Sequence, residues 1–111
     1  MAHRKPLESI RAYWLALETE GIDPEFVILY GSHARGDANT WSDIDVVVVT
    51  PEFDGEIDRS RVQILWRVAA RVDSRIEPIP CGRLEWENDD GRPILEHARR
   101  EGLRIDASKA A

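Results

Sequence analysis

The run Ile44-Asp45-Val46-Val47-Val48-Val49 is the feature that most restricts how this chain can fold, because every position except Asp45 is apolar. Successive side chains of a β-strand point to opposite faces of its sheet, so this run suits a strand that is covered on both sides. Pro51 ends the run, since proline cannot donate a hydrogen bond to a neighbouring strand. We therefore predict a central strand in the sheet of an α/β protein.

The rest of the chain alternates between helical and extended patterns. Apolar residues recur at helical spacing in three segments, and three short segments are typical of strands. The helices are predicted over residues 7–20, 57–72 and 93–100, and the further strands over residues 25–30, 75–80 and 103–105. Pro78 and Pro80 confine their strand to an edge of the sheet or to an early end. The predicted order is α-β-β-α-β-α-β, an α/β layer structure.

The composition is that of an ordinary folded protein, and its 111 residues fit one compact domain, residues 1–111. Lys and Arg number 15 against 21 Asp and Glu, and the net charge of −6 argues against a surface that binds nucleic acid mainly through its phosphates. The single cysteine, Cys81, cannot form an intrachain disulfide. No apolar segment approaches the ~20 residues that a membrane-spanning helix needs. We expect a cytoplasmic protein without membrane or direct nucleic-acid contacts.

Two aspartates, Asp43 and Asp45, stand at the start of the predicted central strand. Because a strand repeats every two residues, their side chains project from the same side, about 7 Å apart along the chain. Carboxylate oxygens with open positions suit Mg²⁺, which keeps several waters and is usually completed by substrate phosphates. Two such ions, ~3.5–4 Å apart, can hold the attacking and leaving oxygens of a phosphoryl-type displacement. The pair is therefore a candidate site for Mg²⁺.

A Gly-Ser turn follows the strand predicted over residues 25–30. Gly31 lets the backbone approach a ligand closely and leaves N–H groups free to face an anion, and Ser32 adds a hydroxyl donor. Arg35, with His33 as a second choice, can reach phosphate oxygens. The turn and the paired aspartates together predict a metal and triphosphate site at the ends of adjacent strands.

Each of these motifs alone has an ordinary structural explanation. A Gly-Ser turn is a β-turn in most proteins, and an Asp-x-Asp pair often marks a solvated strand entry or a helix cap. A calcium-binding EF-hand loop is excluded, because Val47 and Val49 stand where that loop needs ligands. The spacing of the two motifs, rather than either one, favours a functional site.

Gly31-Ser32, ten intervening residues and Asp43-x-Asp45, with an apolar strand on either side, resemble the signature of the nucleotidyltransferase superfamily related to DNA polymerase β. More narrowly, nearly the whole chain resembles a minimal nucleotidyltransferase domain, and the core of the resemblance lies in residues 24–80. Such small proteins are often encoded beside a HEPN-domain toxin. The resemblance implies the palm-like fold of the superfamily, a small mixed β-sheet with helices packed on it.

The resemblance also implies a third carboxylate on a strand after the long helix, and Glu77 stands in that place. Where a family member has Asp, the longer Glu needs a slightly different reach, which bears on activity more than on metal binding. Asp73 is the alternative. Because Asp73 falls where the predicted helix ends, we expect it to be a hydrated turn residue whose replacement has little effect.

The implied function is Mg²⁺-dependent transfer of AMP from ATP to a tyrosine hydroxyl of a HEPN toxin, which blocks the toxin and makes this protein its antitoxin. The implied site, with two Mg²⁺ ions, consists of a catalytic and metal-binding set, Asp43, Asp45 and Glu77, and a nucleotide-binding set, Gly31, Ser32 and Arg35. Two alternatives stay open. One is a binding module that neutralises its partner by contact, with a vestigial site. The other is transfer to a small molecule such as an aminoglycoside.

The four tryptophans receive mostly structural interpretations. Trp14 and Trp66 lie on or beside apolar helical faces and are expected in the core. Trp41 lies in the segment that leads into Asp43, where stacking on a base is the functional alternative. Trp86 is expected either to pack on the domain or to anchor a partner.

Overall fold

Four strands form one mixed sheet in the described part of the computed structural model, which covers residues 5–88 and 91–107. The strands are β1 (Phe26–Tyr30), β2 (Ile44–Val49), β3 (Ile76–Cys81) and β4 (Leu103–Asp106). Their order across the sheet is β3-β2-β1-β4. β1 runs antiparallel to β2 and β4, whereas β2 and β3 are parallel. The predicted α/β class is confirmed, β2 is central, and the proline-containing β3 lies at an edge.

Helices pack on this sheet and fill the connections between its strands. The helices are α1 (Pro6–Thr19), α2 (Ser32–Arg35), α3 (Arg59–Val72), α4 (Arg83–Asn88) and α5 (Pro93–Glu101), with a 3-10 turn at Pro51–Phe53. The three longest were predicted to within two residues. Helices α2 and α4 were not predicted, because segments of four and six residues are too short to show a helical period.

The two faces of β2 belong to two different apolar clusters. Val46 and Val48 pack with residues of α1 and α3 on one face. Val47 and Val49 pack with Leu95 of α5, among others, on the other face. All four valines are fully buried, which confirms that β2 is covered on both sides. Odd-numbered residues of β2 therefore face the α5 side, and Asp45 is one of them.

Helices α1 and α3 form a continuous layer against the sheet. The hydroxyl of Tyr13 in α1 donates to the backbone carbonyl of Leu65 in α3 over 2.9 Å. Trp14 is buried in this layer, as predicted. Trp66 is not, and that prediction was wrong: its neighbour Leu65 occupies the inward face of α3, so Trp66 is turned outward and stays 48% exposed.

The helices of the described residues are all too short or too polar to span a membrane.

Candidate active site

The two halves of the motif meet at one end of the sheet. β1 is antiparallel to β2, so its last residue, Tyr30, lies opposite Asp45 near the start of β2. β3 is parallel to β2, so it begins at the same end, and Glu77 lies opposite Asp45 on the other side. Residues paired across a sheet point to the same face, about 5 Å apart. Asp45 therefore lies between Tyr30 and Glu77, on the face that α5 covers further along.

The carboxylates at this end of the sheet interact electrostatically. Burial and the negative charge of Asp43 raise the pKa of Asp45, against smaller opposing contributions from His33 and Arg35. Burial, followed by the charges of Asp43 and Asp45, raises the pKa of Glu77. The ionisation of Asp45 and Glu77 is thus disfavoured, and added positive charge at this position would stabilise the ionised forms of these two side chains.

Tyr30 is buried in the core beside the same carboxylates, and their negative charge affects its hydroxyl. Burial, followed by the charges of Asp45 and Glu77, raises the pKa of its hydroxyl to about 12. Its side chain is only 6% exposed. Tyr30 therefore stays neutral at physiological pH and forms part of the wall beneath the acidic cluster.

Gly31 is required at the end of β1 for two physical reasons. Its backbone has φ of 76° and ψ of −154°, a conformation that is essentially restricted to glycine. A Cβ atom at this position would also lie 2.5 Å from Oδ2 of Asp45, closer than any real contact. The missing side chain thus leaves room for the carboxylate that the motif places beside it.

The segment after Gly31 forms the single helical turn α2. The amides of Ala34 and Arg35 both donate to the carbonyl of Gly31 over 3.0 Å. Gly36 ends the turn with φ of 86° in the left-handed region. The half-exposed side chain of Arg35 pairs with Asp37 at 3.1 Å and with Glu101 at 3.3 Å.

Residues 37–43, which we call the motif loop, lead from α2 to the carboxylates and are held by side chains within the loop and outside it. Oδ1 of Asn39 accepts from the amide of Trp41 at 2.8 Å, and Oγ of Ser42 accepts from the amide of Asn39 at 3.0 Å. From α2, Nε2 of His33 donates to the carbonyl of Ser42 at 3.2 Å. The side chain of Trp41 is 76% exposed at the surface of this loop.

Asp73 is not the hydrated turn residue that the sequence predicted. Its carboxylate accepts from the hydroxyl of Ser9 in α1 at 2.6 Å and from the Arg75 guanidinium at 2.8 Å. The side chains of Asp73 and Arg75 are only 11% and 9% exposed. The helix end is covered because α1 packs across it, a tertiary contact that local sequence does not show. A silent replacement of Asp73 is therefore no longer expected.

Replacing Asp73 by Asn should destabilise the fold at neutral pH by about 3 kcal/mol, because it breaks a buried ion pair. Burial raises the pKa of Asp73, but the bonds from Arg75 and Ser9 outweigh it, and the net pKa lies well below its ordinary value. A lowered pKa stabilises the fold above the unfolded-state value of ~3.9, and the effect is lost as pH falls below it. Urea unfolding should therefore show a difference in the free energy of unfolding between the wild type and Asp73→Asn that is constant from about pH 7 to 5 and becomes smaller below about pH 4. A difference that does not depend on pH would show that the ionised Asp73 carboxylate does not stabilise the fold.

Comparison with known proteins now identifies the family. The family model of the nucleotidyltransferase domain matches residues 10–100. The chain belongs to the nucleotidyltransferase domain family. The match includes the Gly-Ser turn and all three carboxylates at this end of the sheet.

Two solved structures share the fold of this nucleotidyltransferase domain. One is described as a nucleotidyltransferase from Sulfolobus solfataricus, with 22% identity, a TM-score of 0.50, and coverage of 94% of this chain and 89% of that chain. The other is a toxin-antitoxin structure with AMP-PNP, with 17% identity, a TM-score of 0.57, and coverage of 90% of this chain and 77% of that one. At these identities the likeness shows the fold alone. No curated protein matches the chain.

Nucleotidyltransferase domains generally use a nucleoside triphosphate and a divalent metal ion. Within residues 5–88 and 91–107, no three His, Cys, Asp or Glu side chains converge closely enough to hold one ion between them. The donor set nevertheless fits such an ion. The raised pKa values of Asp45 and Glu77 favour a cation beside them, and Gly31 leaves the Asp45 carboxylate unobstructed.

Sequence reasoning did not single out Arg75, although this residue connects the site to the α1 layer. Its guanidinium donates to the carbonyl of Thr40 in the motif loop, at a sequence separation of 35 residues. The only local signal is the Asp73-x-Arg75 spacing at the end of a helix. Nothing in the sequence indicates the contact with Thr40, because that contact depends on how the motif loop lies against the turn before β3.

Proposed function

We propose that this nucleotidyltransferase domain transfers AMP from ATP to a tyrosine hydroxyl of a HEPN-type toxin and so acts as an antitoxin. One observation carries the proposal: the Gly31-Ser32 turn and the acidic residues Asp45 and Glu77 meet at one end of the sheet, with Asp43 directly before it. Membership of the family supports nucleotidyl transfer. The similarity to a toxin-antitoxin structure with AMP-PNP, an analogue of ATP, supports the nucleotide and the antitoxin role.

The roles follow from the chemistry of each group. Asp43 and Asp45 would hold Mg²⁺, and Glu77 would complete the position of a second ion. When bound, Mg²⁺ neutralises the charge of the triphosphate and stabilises the charge that develops during its displacement. Backbone amides after Gly31 and the hydroxyl of Ser32 would receive the phosphate oxygens. Catalysis of this kind consists mainly of positioning and charge neutralisation.

The reaction forms a bond between the acceptor oxygen and the α-phosphorus of ATP. The bond from that phosphorus to the bridging oxygen breaks, and pyrophosphate leaves with the electron pair. The proton of the acceptor hydroxyl must pass to a base. As the alternative to completing the position of the second ion, Glu77 would serve as that base, because its side chain is exposed beside Asp45.

The acceptor is proposed to come from a partner protein. Asp43 and Glu77 are both exposed, and Asp45 is half-buried, so the acidic cluster opens directly to solvent. A protein side chain can therefore reach it without entering a deep pocket. The exposed Trp41 beside the cluster offers apolar surface to an incoming partner or base.

Co-expression with a HEPN-type toxin encoded beside this chain should give a complex that co-purifies and should relieve growth inhibition. The matched comparison is a variant in which Asp43 and Asp45 are both replaced by Asn. Relief of growth inhibition by the wild type but not by the double variant supports AMP transfer. Equal relief of growth inhibition by the two proteins would favour the binding module that neutralises its partner by contact. Absence of any complex or relief, with AMP transferred to a small molecule instead, would favour the small-molecule enzyme.

A further inference from the structure

We propose that Arg75 is a positioning residue that fixes the motif loop and, through it, Asp43. This inference deepens the proposed function, on which its catalytic part rests. Arg75 does not touch the triphosphate in this account. It acts on the chain that carries the first carboxylate of the site.

Arg75 contacts the motif loop segment on both sides of Trp41-Ser42-Asp43. Its guanidinium donates to the carbonyl of Thr40 at 3.0 Å, directly before these residues. Its own backbone carbonyl accepts from the amide of Ile44 at 2.7 Å, directly after them. The three residues are thus held at both ends by one residue that directly precedes the neighbouring strand β3.

The guanidinium itself is held rigidly. Asp73 accepts from Nε of Arg75 at 3.1 Å and from NH2 at 2.8 Å, which is the two-point geometry that only an arginine makes with a carboxylate. The hydroxyl of Ser9 adds one further hydrogen bond to the Asp73 carboxylate, beside the two from the Arg75 guanidinium. Because this group of side chains is buried against α1, the contact between Arg75 and Thr40 attaches the motif loop to the rigid core.

A lysine at position 75 separates the ion pair with Asp73 from the hydrogen bond to the Thr40 carbonyl. Its ammonium can keep the ion pair with Asp73, but it is a point charge and cannot pair with Asp73 at two points while also reaching the Thr40 carbonyl. The backbone bond to Ile44 is unaffected by the substitution. Arg75→Lys therefore releases one end of the segment and leaves the sheet in place. Ser9→Ala is the matched control, because it alters the same buried cluster on the α1 side and leaves the Arg75 contact with Thr40 intact.

The first measurement is amide hydrogen exchange of the wild type and of Arg75→Lys, Arg75→Gln and Ser9→Ala. Arg75→Gln is the second variant should a buried lysine prevent folding. We expect the amide of Ser42, which donates to the carbonyl of Asn39, to exchange at least tenfold faster in the Arg75 variants. Amides of β1 and β2 should keep their wild-type rates, and Ser9→Ala should leave Ser42 unchanged. Exchange that rises equally throughout the chain, or not at all in the motif loop, would overturn the inference.

The second measurement is AMP transfer to the partner, resolved into kcat and the KM for ATP. We expect Arg75→Lys to lower kcat by about 10- to 100-fold, since a displacement of about 1 Å in a catalytic group has that effect, while KM changes little. Ser9→Ala should stay within twofold of the wild type. A loosened loop with an unchanged kcat would overturn the positioning role. If the wild type transferred no AMP, the proposed function would fail, whereas the exchange measurement would still decide whether Arg75 fixes the loop.

Discussion

Replacing Asp43 and Asp45 together by Asn should abolish Mg²⁺-dependent ATP binding and lower AMP transfer by at least three orders of magnitude. The triphosphate is strongly negative, and it cannot lie against these two residues unless a cation lies between them. Removing both carboxylates removes the oxygen ligands that would hold the cation. Calorimetric titration of ATP with and without Mg²⁺ measures the first effect, and transfer of labelled AMP measures the second.

The fold should survive this double substitution and become no less stable. The folded protein raises the pKa of Asp45, so ionised Asp45 is disfavoured by folding at neutral pH and its neutral replacement relieves that cost. The matched control is Asp23→Asn with Glu56→Gln, which changes the charge equally at the opposite end of the sheet, where both residues are exposed. ATP binding that kept its Mg²⁺ dependence in the Asp43 and Asp45 variant would show that the site lies elsewhere.

Replacing Glu77 by Gln should lower turnover by two or more orders of magnitude while ATP binding largely survives. Glutamine keeps the shape of the side chain but removes its charge and its capacity to accept a proton, which are the properties that the proposed step uses. Asp43 and Asp45 remain to support the bound nucleotide. The measurement is kcat for AMP transfer at saturating ATP and Mg²⁺, beside the dissociation constant for ATP.

Two control variants sharpen this result. Glu77→Asp keeps the charge with a shorter reach and should retain more activity than the Gln variant. Glu96→Gln removes an exposed charge from α5 and should leave kcat unchanged. If Glu77→Gln turned over normally, the third carboxylate would have to be assigned to another residue. Asp73 is poorly placed for that role, since its carboxylate is already engaged by Ser9 and Arg75.

Local patterns were sufficient to predict the elements that bury apolar side chains at a regular period. β2 begins at Ile44, directly after Asp43, and ends at Val49, before Pro51, and these bounds agree with the prediction. The edge position of β3 was one of the two alternatives that its prolines left open, because Pro78 cannot donate a hydrogen bond to a neighbouring strand. The meeting of Gly31 with Asp45 was predicted from their places at the ends of adjacent strands, and the antiparallel pairing of β1 with β2 explains it.

The sequence could not show how distant side chains combine. Asp73 looks like an exposed helix end until α1 places Ser9 against it, 64 residues earlier in the chain. Trp66 looks like a core residue until Leu65 takes the inward face of α3. Both errors concern tertiary packing, which decides whether a side chain is buried independently of the spacing of apolar residues in its segment. The raised pKa of Glu77 likewise depends on a strand pairing that no local segment contains.

The most direct test of the central claim is the intact mass of both proteins after incubation. The purified chain, Mg²⁺ and each nucleoside triphosphate in turn are mixed with the adjacent HEPN-type protein, and the same mixtures are prepared with the Asp43 and Asp45 double variant. We expect ATP with the wild type to add the mass of one or more AMP groups to the HEPN-type protein, at tyrosine, and to release pyrophosphate. A HEPN-type protein whose mass is unchanged with every triphosphate, although it binds this chain, would show that this chain does not transfer AMP to it.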